Sequence, residues 1–159
     1  GLLLIAKTYS AMVELGKIFE EKRIQKSYYA IVIGTPEKSG KIDSEIGSYT
    51  AFTDYRVAET KPSLRNKSLS LLEIKPITGR THQIRIHLAE LGYPIFGDKL
   101  YGNKGEVYKG KGLFLAAFKL QFEHPVTRKE MNVTIDIPGK FNSLLKREER
   151  RYQTKFFSK

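Results

Sequence analysis

Between Pro76 and Gly102 the sequence runs PITGRTHQIRIHLAELGYPIFGDKLYG, and this stretch allows few folds. Pro76–Gly79 places Pro and Gly in turn-forming positions. From Thr81 the pattern predicts a short helix ended by Gly92, a residue that tolerates the left-handed conformation. Ile84, Leu88 and Leu91 recur at i, i+4 and i+7 and form its packing face, while His82, Arg85 and Ala89 lie on a neighbouring face. The Pro- and Gly-rich passage Pro94–Gly102 then fixes a loop against the rest of the chain. Arg80–Arg85 packs Thr, His, Gln and two Arg into six positions, more donor capacity than packing needs. Those donors suit a phosphate, a carboxylate or a base edge. The competing reading is a solvated helix start with capping residues.

Charge narrows the choice of partner. The chain carries 28 Lys+Arg against 17 Asp+Glu, a formal net charge of +11, which points to an anionic partner with nucleic acid first. An anionic membrane surface ranks behind nucleic acid, because no long basic amphipathic stretch is read from the sequence. Residues 140–159 concentrate Lys and Arg against only Glu148 and Glu149; this tail is either part of the basic surface or a frayed, soluble terminus. There is no cysteine, hence no disulfide framework and no thiolate zinc site, which fits a reducing cytoplasm. The three histidines stand in no HxH or HxxxH spacing, so a metal centre is not expected. Leu2–Ala6 is too short for a signal or membrane segment.

The remaining chain reads mostly as strands. Gly1–Lys7 predicts a buried-type strand, and Thr8 caps a helix to about Glu20 with Ala11, Leu15 and Ile18 or Phe19 inward. Ser27–Gly34 is rich in Tyr, Ile and Val and predicts a strand. Thr35–Lys41 predicts a surface loop, and Ile42–Ile46 a short strand or hairpin arm. Phe52–Glu59 and Ser68–Lys75 predict strands flanking a charged turn, Lys61–Lys67, that contains Pro62. Asn103–Lys111 predicts a Gly- and Lys-rich loop. Leu113–Glu123 alternates over Phe118, Leu120 and Phe122, and Glu130–Ile137 over Val133, Ile135 and Ile137. Pro138-Gly139 turns into a last helix carrying Phe141, Leu144 and Leu145. The expected fold is α+β: a mixed, largely antiparallel sheet with a few packed helices, in one domain over residues 1–159 and as a monomer.

Two tyrosines, Tyr28 and Tyr29, open the Ser27–Gly34 strand and point to opposite faces. A tyrosine on a cleft offers a ring for stacking on a base and a hydroxyl for a proton or hydrogen bond. A tyrosine on the other face packs in the core. The residues alone do not choose between them.

The run Thr78-Gly79-Arg80-Thr81-His82-Gln83-Ile84-Arg85, then His87, then Gly92-Tyr93-Pro94-Ile95-Phe96-Gly97-Asp98 and Tyr101-Gly102, resembles the third motif of the pseudouridine synthases of the large-ribosomal and transfer-RNA type. Lys26, Tyr28, Ala30, Val32 and Gly34 resemble that family's KxYxAxVxG second motif. Leu115, Ala117, Leu120, Phe122, His124 and Pro125 resemble its LHAxxLxFxHP strand, with Ala116 standing where histidine is usual.

The resemblance implies isomerisation of uridine in ribosomal or transfer RNA without cofactor or metal. It implies that Tyr28 is the active-site tyrosine, lying against the uracil and assisting proton movement. Arg85 falls on the basic residue that pairs with the catalytic aspartate. Arg80, His82, Gln83 and His87 match the surrounding residues and are candidates for RNA contact; for His87, amid apolar neighbours, a core histidine is the alternative. Leu115 is the apolar residue expected beside the base. The family's aspartate belongs to an HRLDxxTSG-like first motif followed by GLLLxAK, and Gly1–Lys7 matches only that downstream half. The nucleophile is therefore expected five residues ahead of Gly1, and these 159 residues alone are expected to be inactive. The Arg85 guanidinium is accordingly expected to lack its carboxylate. A non-catalytic RNA-binding module with the same fold is the alternative reading.

Overall fold

The computed structural model describes residues 1–103 and 112–157. Helix α1 (Tyr9–Glu20) begins where the Thr8 hydroxyl accepts the Ala11 amide at 3.2 Å, the expected N-cap. Ile18 is its one fully buried residue. Six strands follow the pattern of β-branched and aromatic residues: β1 (Ile24–Ile33), β2 (Ser39–Ile46), β3 (Tyr49–Ser63), β4 (Lys67–Pro76), β5 (Leu115–Glu123) and β6 (Glu130–Thr134). Helix α2 (Gln83–Glu90) stands between β4 and β5, and α3 (Gly139–Phe157) closes the chain. One sheet has the order β2-β3-β4-β1-β5-β6, and all its named pairings are antiparallel. The expected α+β class is observed, without a parallel pair among the described strands.

Register sorts the side chains into two faces, because directly paired residues point the same way. Tyr28 and Ala30 pair with Ile74 and Leu72 and share one face with Val32. Tyr29, Ile31 and Ile33 pair with Glu73, Leu71 and Leu69 on the other. Helix α2 covers the first face: its Gln83 and His87 bond to Thr53, and Glu90 accepts the Ser44 hydroxyl. Helix α3 covers the second, where Phe141 packs on Phe114 at 5.2 Å and Glu148 accepts the Ser63 hydroxyl at 2.9 Å. Ile31, Leu69, Leu71, Leu72, Ile74, Leu88, Leu144 and Leu145 are all at most 2% exposed. Burying each such side chain stabilises the fold by about 1.5–3 kcal/mol. A smaller cluster of Ile18, Ile24, Leu120 and Phe122 anchors α1.

Three expectations give way. Gly1–Lys7 is not a buried strand. A single backbone bond, Leu2 N–H to Ala117 O at 2.8 Å, ties it to the sheet. Leu2 and Leu4 pack on the α1 cluster while Leu3 and Ile5 are 81% and 71% exposed. An apolar run reads as doubly buried, yet only one side of it finds a neighbour. Strand β3 runs on through Pro62 to Ser63, leaving the turn to Leu64–Asn66. Strand β2 pairs with β3 only as far as Arg56, so beyond it β3 is an edge and a proline costs no ladder bond. Val133 is 37% exposed rather than inward, because β6 is the terminal strand and ends at Thr134. The loop expected over 103–111 lies, after Asn103, outside the described residues.

Candidate functional site

A cleft of about 300 Å³ opens on the α2 face, between α1, the 76–80 turn and the start of α2. Its walls are Phe19, the turn residues Pro76, Thr78, Gly79 and Arg80, and His82 to Arg85; Lys26, Tyr28 and Leu115 come from the sheet. Six of the seven residues singled out from the sequence meet there: Tyr28, Arg80, His82, Gln83, Arg85 and Leu115.

Tyr28 follows a register shift between β1 and β5: Ser27 pairs with Lys119, and Tyr28 with Ala117. Such a bulge re-aims a side chain. Burial pushes the Tyr28 phenol above its ordinary value, so it stays protonated at neutral pH and can donate. Tyr29 lies on the opposite face, stacked on Phe118 at 3.8 Å, a packing role. Burial also pulls the Lys26 ammonium below its ordinary range. Leu115, half-buried, supplies the apolar part of the wall.

Gln83 builds the turn. Its Oε1 accepts from the Thr78 hydroxyl at 2.7 Å and the Arg80 amide at 3.0 Å. Its Nε2 donates to Phe52 O at 2.8 Å and Thr53 Oγ1 at 3.0 Å. These four bonds use the whole capacity of the amide, and the residue is 3% exposed, so Gln83 offers RNA nothing. His82 holds a left-handed backbone with φ +56°, unusual for a residue with a Cβ, and its Nδ1 lies 3.1 Å from the Tyr101 hydroxyl. Arg80 leans toward the β2–β3 turn, its guanidinium 4.9 Å from the Tyr49 ring centre.

Arg85 already has a carboxylate. Its Nε and Nη2 donate to Asp98 Oδ2 and Oδ1 at 2.7 and 2.8 Å. Asp98 Oδ1 also accepts the Leu100 and Tyr101 amides at 2.9 and 3.0 Å, holding the loop that ends in Gly102. Burial alone would raise the Asp98 pKa; the Arg85 guanidinium and the two amides outweigh it and hold the carboxyl below its usual range. The expectation of an unpartnered Arg85 is therefore corrected. The bond to Asp98 in turn holds the arginine charged. The Arg85 guanidinium also sits 4.9 Å from the Tyr101 ring centre, over its face.

His87 is not in the cleft. It is fully buried, with Nδ1 2.9 Å from Thr53 Oγ1. Burial lowers its pKa and keeps it neutral. Of its two sequence readings, the core histidine is the one observed. Lys26, Phe19 and Tyr101 were not singled out. Lys26 stands inside the KSYYA run and Tyr101 inside the GDKLYG run, so both carried a signal; Phe19 carried none beyond its helical phase.

The assembled cleft is a slot with an apolar wall, a protonated phenol, cationic groups at its rim and no carboxylate among its lining residues. It can accept a flat polar ring and the phosphates beside it.

The family profile described as RNA pseudouridylate synthase matches residues 1–90. The ribosomal large subunit pseudouridine synthase C of Rickettsia bellii is 40% identical over 156 positions, covering 89% of this chain and 52% of that protein. The ribosomal large subunit pseudouridine synthase D of Vibrio cholerae is 34% identical over 164 positions, covering 87% and 49%. The chain thus spans about half the length of the curated relatives it matches. Among solved structures, human RNA pseudouridylate synthase domain containing 1 superposes with a TM-score of 0.72 at 27% identity, over 84% of this chain and 62% of that one. The profile takes in more than half of the 159 residues and runs through Tyr28 and Arg85, and on that ground the chain belongs to the RNA pseudouridylate synthase family.

Proposed function

We propose that the protein carrying this chain isomerises uridine to pseudouridine in RNA, with ribosomal large-subunit RNA as the substrate. The observation that carries the reading is the convergence of Tyr28, Leu115 and Arg85 on one cleft in a chain of this family. The names of the relatives supply the choice of ribosomal RNA.

In this reading the N1–C1′ bond breaks, the detached uracil turns in place, and C5 bonds to C1′. The C5 proton leaves and N1 gains one, so atoms balance without an outside reactant. The base must leave its stack to be reached. The Tyr28 ring and the Leu115 side chain then hold it between a flat surface and an apolar wall, which keeps it oriented for rejoining. The protonated Tyr28 hydroxyl relays the proton at C5. Arg80 and His82, at the rim, take the flanking phosphates.

The family's nucleophilic aspartate is not one of the cleft's lining residues. Gly1 lies against Ala117, the β5 residue that pairs with Tyr28; a Cβ on Gly1 would stand 2.8 Å from the Ala117 backbone. A segment preceding Gly1 would thus enter beside Tyr28, which is where the reaction needs a carboxylate. Arg85 is already held by Asp98, so it would meet an incoming carboxylate pre-oriented rather than free.

The test is tritium release from ribosomal RNA labelled at uridine C5. Isomerisation exchanges that hydrogen, and nothing short of a new bond or exchange at C5 does so. Release that depends on the protein supports the reading. RNA bound at the cleft with no release would leave a binding module instead.

A further inference from the structure

A second groove lies on the opposite face of the sheet from the cleft, between α3 and the β3–β4 turn, with a volume of about 720 Å³. It is basic. Arg147, Arg150, Arg151 and Lys155 recur along α3 at the spacing that puts them on one side of the helix, and Arg65 faces them from the turn. One carboxylate, Glu148, lines the groove with them. Its Oε2 accepts the Ser63 hydroxyl at 2.9 Å, and its Oε1 meets Arg151 at 3.3 Å and Arg147 at 3.7 Å. Glu148 is 7% exposed, so it positions two arginines from below more than it cancels charge at the surface.

We infer that this groove is a second RNA site, which holds the sugar–phosphate backbone of a duplex stem while the target uridine occupies the cleft on the other face. Charge selects a polyanion. The groove's own lining favours the backbone over the bases: its one aromatic residue, Phe96, is 3% exposed and offers no ring face, and the exposed Phe156 beside Lys155 is not among the lining residues. Length fits as well. Arg147 to Lys155 spans eight residues of helix, about 12 Å at 1.5 Å per residue. Phosphate charges on one strand recur about every 3.4 Å along the axis of a DNA duplex, so that length of helix can lie beside several of them. Arginine suits such contacts because its fork is planar and bidentate. The groove also takes in Arg147, Arg150, Arg151 and Lys155, which the cleft does not use. Gly139–Phe157 forms a structured helix rather than a frayed tail.

The inference rests on the RNA reading of the cleft for its choice of polyanion, and the experiment separates the two. Arg150 and Lys155 are exposed, outside the cleft and in no ion pair with a carboxylate among those described. In the full protein, Arg150→Gln with Lys155→Gln is compared with Arg150→Lys with Lys155→Arg. Binding of a fully paired RNA duplex is followed by fluorescence anisotropy between 50 and 200 mM salt. The Gln pair is expected to flatten the log–log salt slope by roughly 0.7–0.9 for each phosphate no longer neutralised, and the charge-keeping pair to retain it. Single-turnover tritium release is expected to need a higher concentration of substrate RNA in the Gln pair and to keep the parent's concentration dependence in the charge-keeping pair. An unchanged duplex slope in the Gln pair overturns the inference. So does an equal weakening in both pairs, which marks a packing role, or displacement of the duplex by polyglutamate at matched charge, which marks a site for acidic protein. Duplex binding that responds to the Gln pair in a protein that never releases tritium would keep the groove and refute the synthase reading.

Discussion

Arg85 and Asp98, 13 residues apart, close a two-pronged ion pair at 2.7 and 2.8 Å beneath the cleft. The pair joins α2 to the loop that follows it, and it fixes the direction of the Arg85 guanidinium. With the Asp98 side chain 1% exposed and the Arg85 side chain 17%, breaking it leaves a charge in a partly dry site.

Asp98→Asn is therefore expected to cost about 3 kcal/mol of unfolding free energy at pH 7, toward the lower end for a broken buried pair because Arg85 keeps some solvent. Its pH dependence has a definite sign. The folded Asp98 carboxyl lies below its ordinary value, so its contribution is complete above about pH 4 and disappears as pH falls through the folded value. Urea melts of both proteins at pH 7 and pH 3 check this. Curves that differ by under about 1 kcal/mol at pH 7 would show the pair to be ornamental.

Tyr28→Phe is expected to keep the fold and most RNA affinity but to lose turnover, since the ring remains and the hydroxyl goes. Tyr29 lies across the sheet against Phe118, so Tyr29→Phe should leave single-turnover rates within a few fold of the parent. General acid–base contributions run about 10²–10⁴-fold, which sets the expected loss at Tyr28. Circular dichroism serves as the folding control. Normal turnover by Tyr28→Phe would remove the hydroxyl from the mechanism.

These two predictions show what the sequence could and could not disclose. The choice of Tyr28 over Tyr29 came from motif phase, and the sheet register places the two on opposite faces as strand geometry requires. The bulge that aims Tyr28 left no trace in the sequence, because a register shift belongs to the pair of strands and not to either one. The fixed loop Pro94–Gly102 was legible from its Pro and Gly, and it holds Asp98. The pairing of Asp98 with Arg85 was not, since an ion pair between a helix and a loop has no periodicity to reveal it. Pro62 misled for a related reason: proline argues against a strand until one knows that the strand has lost its outer neighbour. Gly1–Lys7 misled because hydrophobicity reports what a chain seeks, not what is there to cover it.

His87 should make the protein acid-sensitive well above the carboxylate range. Burial depresses its pKa, partly offset by Glu90, the Ser44 backbone and Asp43. The neutral form is favoured on folding, so stability is complete above about pH 6.5 and falls as pH drops through the folded value. One proton gives a limiting slope of about 1.4 kcal/mol per pH unit. Unfolding free energies at pH 7, 6 and 5 should show this decline in the parent and a flatter one in His87→Asn. Parallel profiles would place the sensitivity elsewhere.

Finally, the 159 residues alone are expected to release no tritium from any uridine-labelled RNA. The cleft supplies a phenol, an apolar wall, His82 and cations but no carboxylate among its lining residues, and the guanidinium of Arg85 is always charged and accepts nothing, so it cannot stand in for the family's aspartate. Asp98 is the acidic residue nearest the chemistry through Arg85, yet its carboxylate is bound on both oxygens and 1% exposed, so it cannot reach a substrate without dismantling its loop. Release should appear when the chain is extended upstream through an HRLD-like segment, and vanish again when the aspartate of that segment is changed to asparagine. Both proteins are checked by circular dichroism and duplex binding, so that an inactive short chain is known to be folded. Release by the folded short chain would mean that a carboxylate within these residues serves as nucleophile, and Asp98→Asn would then be the first variant to test for its loss.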